Sequence, residues 1–184
     1  MAKSSTAWLQ QGSLGVTRIR FAFVGLLALF TVAGDAWHLI APGAILQHWM
    51  LVGVVLAANA VLWYASRAQN HSTFYYRLLI YLQIALDIGV ATFLVYGERG
   101  IASKGVMLYV LPIATSAVLL SRSALYATAT FCTAVYGLTV IRYQFLNPGE
   151  AYKVELYATL VFYGLTFLVI AAILRVALRV RGNS

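Results

Sequence analysis

Two carboxylates stand inside apolar runs: Asp87 in "LLIYLQIALDIGVATFLVYG" and Asp35 in "LFTVAGDAWHLI". An ionisable group at mid-bilayer costs about 2.5–3.5 kcal/mol on insertion scales, so such a residue is a candidate for function by default. Gln83 lies one helical turn before Asp87 on the same face and is its nearest hydrogen-bonding neighbour in the sequence. Together they suit a polar latch between helices that changes with a signal or a proton. The plainer alternative is a satisfied interhelical hydrogen bond, worth about 0.6 kcal/mol. Asp35 and His38 are three apart, and His48 follows at the start of the next apolar run. Those types could hold a metal or sense pH, but no HExxH spacing accompanies them and no metal is assigned. Wet histidines at an interface are the plainer reading. Cys132 is the only cysteine, so no disulfide forms within the chain. There is no GxSxG, and Gly97, Gly100 and Gly105 fit no phosphate-binding loop. Neither a catalytic constellation nor a cofactor motif is found.

These residues must be held by membrane helices. Of the 184 residues 62% are hydrophobic and 10% charged, against about 25% charged in soluble domains; mean hydropathy is +0.83. A helix needs about 20 apolar residues to cross a bilayer. Six runs qualify, at 19–40, 49–66, 78–96, 105–121, 123–141 and 157–176. The expectation is an all-α integral membrane protein: a polar segment 1–18 carrying Trp8, Leu9, Leu14 and Val16, one six-helix domain 19–176, and an exit tail 177–184. Arg18 and Arg20, apolar residues 21–32 and Val32-Ala33-Gly34 have the layout of a signal peptide; the segment is read as the first membrane helix. Pro112 removes a backbone donor and is expected to kink the short fourth span. Thr133 and Gly137 in the fifth have small-xxx-small spacing, suited to close packing in the bundle or, second, to dimerisation.

Lys and Arg placement predicts orientation. Lys3, Arg18, Arg20, Arg67, Arg77, Arg122, Arg175, Arg179 and Arg181 fall on one side. Arg99, Lys104, Arg142 and Lys153, with Glu98, Glu150 and Glu155, fall on the other. The bias puts both termini in the cytoplasm. The net charge of +8 is then a topology signal, with anionic lipids as the counter-charge. The basic residues form no stripe, which argues against nucleic acid as a partner. Trp49, Trp63, Tyr64, Tyr75, Tyr76, Tyr96 and Tyr157 cluster near span ends as an interfacial aromatic belt. From Phe167 to Arg181, "FLVIAAILRVALRVR", no Gly or Pro interrupts the helical pattern, and Arg175 and Arg179 share a face. A rigid exit helix suits the passing of motion to a cytoplasmic partner; a stop-transfer helix with basic anchors accounts for the same pattern.

Asp87, "FLVYGERG", "LYVLPI" and "SRSALYATA" follow one another over residues 78–140. This order resembles the membrane sensor region of bacterial histidine kinases, particularly the PilS type. That pattern has an aspartate in one span, a Gly-rich turn, a Leu-Tyr-x-x-Pro-Ile-like span and a small-residue helix starting at a basic turn. The family's turn commonly reads Gly-Gly-x-x-Ser-Pro; here Lys104 stands at the proline position. No kinase core is present, and His71, in a short turn, cannot be a phospho-acceptor.

The resemblance implies a signal-input domain of a two-component kinase or similar receptor. It would work as a homodimer and pass an unidentified small-molecule or membrane stimulus through the last helix, with Arg175 and Arg179, to an output module in cis or trans. The chain itself would not be an enzyme. The alternative is a small transport subunit, since the substrate-binding components of energy-coupling-factor transporters share this size and six-span plan.

Overall fold

The computed structural model describes residues 2–37, 42–68, 72–98, 100, 103–148 and 153–181. They are all-α: α1 Ala2–Ala36, α2 Pro42–Arg67, α3 Thr73–Gly97, a 3₁₀ segment Lys104–Tyr109 that leads directly into α4 Val110–Leu119, α5 Arg122–Leu146 and α6 Lys153–Arg181. Five helices, all but α4, are long and apolar enough to cross a membrane. The chain divides into two compact units, Met1–Ile80 and Tyr81–Ser184, and the division falls inside α3.

The fourth of the six expected spans differs in form from the other five. The run 105–121 forms six residues of 3₁₀ helix followed by ten of α-helix, fewer than a spanning α-helix needs. Pro112 does not kink a span. It occupies the third position of α4, in the first turn, where a missing N–H costs least. The steeper 3₁₀ rise nevertheless gives the combined element a length of about 27 Å, close to the roughly 30 Å of a hydrocarbon core.

In the first unit, α1 begins at Ala2, so the segment expected to be polar is the first half of a 35-residue helix. Thr6, Gln10, Ser13, Thr17, Arg20, Val24, Leu27, Thr31 and Gly34 recur at alternating spacings of four and three, and from Ser13 onward all are buried. On α2, Val52, Val55, Asn59, Leu62 and Ser66 form the matching buried row. Such spacing is the seam of an antiparallel coiled coil. Its polar half is stitched by Ser13 Oγ to Ser66 Oγ at 2.8 Å, by Asn59 Nδ2 donating to the Thr17 carbonyl at 3.2 Å, and by Gln10 Nε2 donating to the Ser66 carbonyl at 3.3 Å. The start of α3 joins this unit through the Tyr75 hydroxyl on the Ala65 carbonyl, the Tyr76 hydroxyl on the Ala68 carbonyl and Thr6 beside Thr73. Tyr76, expected in the aromatic belt, is therefore core. Tyr64 and Tyr157 are exposed, as a belt requires, while Trp63 lies beneath the Arg67 guanidinium, 3.7 Å from its ring.

In the second unit, the 3₁₀–α4 element, α5 and α6 pack together. The turn between α3 and the 3₁₀ segment is capped. Ser103 Oγ donates to Glu98 Oε2 at 3.0 Å and accepts from the Gly105 amide at 2.9 Å. Gly100, with φ +60°, lies against the Tyr143 side chain. Arg99 and Glu150 lie outside the described residues.

Of the small-residue pair in α5, only Thr133 makes a close approach, and its counterpart is Gly164 of α6. A Cβ added at Gly164 would stand 2.9 Å from Thr133 Cγ2, whereas one at Gly137 would meet nothing within 4 Å. Thr133 cannot easily give way. It is β-branched, and its hydroxyl donates to the Ala129 carbonyl at 3.0 Å. Gly164→Ala is therefore expected to destabilise the protein by about 1–3 kcal/mol. Adding Thr133→Ser, which removes the methyl and keeps the hydroxyl, restores most of the loss. Thermal unfolding of the two variants in detergent checks this; an unchanged midpoint for the single variant would refute the close contact.

Candidate functional site

Gln83 and Asp87 lie one turn apart on α3, as the sequence placed them. Gln83 is fully buried and Asp87 half-buried. Asp87 comes within electrostatic range of Cys132, which is buried on α5. The carboxylate thus lies near α5.

Beyond it lies a cluster that the sequence reading passed over. Thr92 of α3, Tyr109 at the end of the 3₁₀ segment, Tyr136 of α5, and Tyr163 and Phe167 of α6 converge. The Thr92 hydroxyl donates to the Ile88 carbonyl at 2.7 Å and lies 2.8 Å from the Tyr109 hydroxyl. A hydroxyl has one proton, so with that of Thr92 given to Ile88, Tyr109 donates to Thr92. The Tyr109 ring centroid stands 6.0 Å from that of Tyr136 and 5.7 Å from that of Phe167. The Tyr136 and Tyr163 centroids are 5.6 Å apart, nearly edge to face. These are attractive aromatic geometries. Tyr136 is 1% exposed, and its hydroxyl finds no hydrogen-bond partner among the described residues. Cys132, Tyr136 and Thr139 follow at four and three on one face of α5, all buried. That periodicity was the available sign in the sequence.

The remaining candidates are not drawn into this cluster. Asp35 is exposed near the end of α1. His48 Nδ1 donates to the Ala44 carbonyl of its own helix at 2.8 Å and so is engaged locally. His38 lies outside the described residues, which hold no group of three potential metal ligands. Arg175 Nη1 donates to the Tyr126 hydroxyl of α5 at 3.3 Å, with its guanidinium 5.7 Å from that ring. Arg179 continues α6 in backbone, and its side chain lies outside the description. Tyr81, Ile84 and Ile88 of α3 with Ala127, Thr128 and Phe131 of α5 line an apolar groove of about 290 Å³.

Comparison with known proteins finds no matching family model, no matching curated protein and no matching solved structure. The chain stands as a multi-helix membrane protein with no family identified.

The two buried tyrosines make opposite predictions. Tyr109→Phe strips Thr92 of its donor and is expected to cost about 0.5–1.5 kcal/mol. Tyr136→Phe removes a buried hydroxyl without a partner and should leave stability unchanged or raise it by up to about 1 kcal/mol. Denaturant titration of the purified protein in detergent ranks the two; the reverse order would refute the hydrogen-bond assignment.

Proposed function

We propose that the chain is a membrane signal-input domain, acting as a homodimer, that passes a change in its helix packing through α6 to a cytoplasmic output module. The observation that carries this reading is the form of α6. It is one unbroken helix of 29 residues, about 43 Å long. Its buried stripe, Leu156, Gly164, Phe167 and Ala171, runs past the aromatic cluster. Its last turns carry Arg175 tethered to Tyr126. A helix of this kind moves as a rod, so a change at Tyr109, Tyr136 or Phe167 is felt at Arg175.

On this reading the 3₁₀–α4 element completes a sixth crossing. Its length of about 27 Å supports that role, and both termini then share the cytoplasmic face, in accord with the Lys and Arg bias. The local likeness of Asp87, the Gly-rich turn and "LYVLPI" to histidine-kinase sensor regions points the same way. Asp87 and Gln83 serve as the polar contact on α3 that differs between two helix arrangements. A stimulus acts by binding one arrangement better than the other. The unmet Tyr136 hydroxyl suits such a system, since a buried orphan costs about 1–3 kcal/mol and lowers the gap to an arrangement that satisfies it.

Fusing the full chain after Ser184 to a histidine-kinase core without its own membrane region tests the reading. Tyr136→Phe and Asp87→Asn, at matched membrane levels, are each expected to shift autophosphorylation at least about threefold, the equivalent of about 0.7 kcal/mol between two states. Output equal to wild type in both variants would remove these residues from any switch and α6 from signalling.

A further inference from the structure

At the junction of the end of α4, the start of α5 and the last turns of α6 lies a cavity of about 140 Å³. One water needs about 10–15 Å³ of such space, so a larger polar group fits. Its polar lining is Ser121, Arg122 and Arg175, its apolar walls include Leu120 and Leu178, and no carboxylate lines it among the described residues. Arg175 is pre-positioned: one of its five N–H donors is spent on the Tyr126 hydroxyl, and the rest remain available. Ser121 Oγ accepts from the Ala124 amide, which leaves its hydroxyl proton for an acceptor. Arg122 opens one candidate span, and Arg175 lies in the last two turns of α6. The cavity therefore lies where spans meet the membrane surface, at the level of lipid phosphates.

We propose that this cavity is a binding site for the phosphate of an anionic phospholipid, gripped by Arg122 and Arg175 with Ser121 as a third donor. Guanidinium forks match phosphate oxygens, and basic pockets between membrane helices are sites for anionic head groups. The apolar walls accept the glycerol and first methylenes that follow the phosphate. The site holds one end of α6 against α4 and α5, and it stands whether or not the chain signals.

The test uses the full chain in mixed micelles containing equal phosphatidylglycerol and phosphatidylcholine, with retained lipid measured by mass spectrometry. Phosphatidylglycerol is expected to be enriched at least about fivefold, and Arg122→Gln and Arg175→Gln each to reduce that enrichment about fivefold, from the electrostatic contribution of one surface arginine. Arg77→Gln, an exposed arginine on α3 outside the cavity, should stay within about twofold of wild type, and Arg175→Lys, which keeps the charge but loses the fork, should fall between wild type and Arg175→Gln. A photoactivatable phosphatidylglycerol analogue on the wild-type protein, which needs no variant to fold, should label peptides around 117–125 and 175–178. Equal retention of the two lipids, indifference to both glutamine variants, or labelling elsewhere would each overturn the site. Arginine-dependent binding of inorganic phosphate without enrichment of phosphatidylglycerol would overturn the lipid in favour of a soluble phosphate.

Discussion

No water is available in a hydrocarbon core to satisfy a polar group, so an amide, carbonyl or hydroxyl there is costly unless it finds its partner within the protein. That constraint explains why the long apolar runs are helices, and it extends to the side chains. The hydroxyls of Thr17, Thr31, Thr92, Thr133, Thr139 and Thr166 each donate to the carbonyl four residues back, and Ser116 to the carbonyl three back. A threonine that turns onto its own helix is no longer chemistry in waiting. The richness of α5 in small hydroxyl residues is thus packing first.

The polar groups that do reach another helix mark where helices are fixed to one another. Lipid tails are as apolar as leucine, so burial alone does not join membrane helices; small-residue contacts and hydrogen bonds do. In the first unit this is the Ser13–Ser66 and Asn59–Thr17 stitching. In the second it is the Thr92–Tyr109 bond and the Gly164–Thr133 contact. The two solutions differ: a regular polar seam in one, aromatic edges around a glycine in the other.

The long runs were legible because hydropathy over about 20 residues is a strong signal, and five of the six became long helices. The fourth was not, since a window average cannot distinguish an α-helix from a 3₁₀ start that stretches fewer residues over a similar distance. Pro112 carried the clue, but it read as a kink because its position within the helix was unknown. The first half of α1 was hidden for a related reason. Thr6, Gln10, Ser13 and Thr17 form a polar seam, buried from Ser13 on, and an apolar-run search discards them. Asp87 and Gln83 were found by their rarity in an apolar setting. Tyr109 and Tyr136 were not, because a tyrosine inside an apolar run carries no mark of what it will touch. Only contact among four helical segments distinguishes a core tyrosine such as Tyr136 from an exposed one such as Tyr157.

The energetics of the second unit follow from the same inventory. Edge-on aromatic pairs contribute about 0.5–1.5 kcal/mol each beyond burial, and an interhelical hydrogen bond about 0.6 kcal/mol. Against these stands the unmet Tyr136 hydroxyl, at about 1–3 kcal/mol. Converting a two-state population from 1:99 to 99:1 takes about 5.5 kcal/mol of differential binding. Each of the aromatic, hydrogen-bond and hydroxyl terms is on the order of 1 kcal/mol, comparable to what one bound ligand or one subunit contact supplies. The stiffness lies within α6, which has neither glycine nor proline after Gly164 until Gly182. The proposed switch asks that the yielding part be the junction of α6 with α4 and α5, where the Tyr136 hydroxyl finds no partner among the described residues.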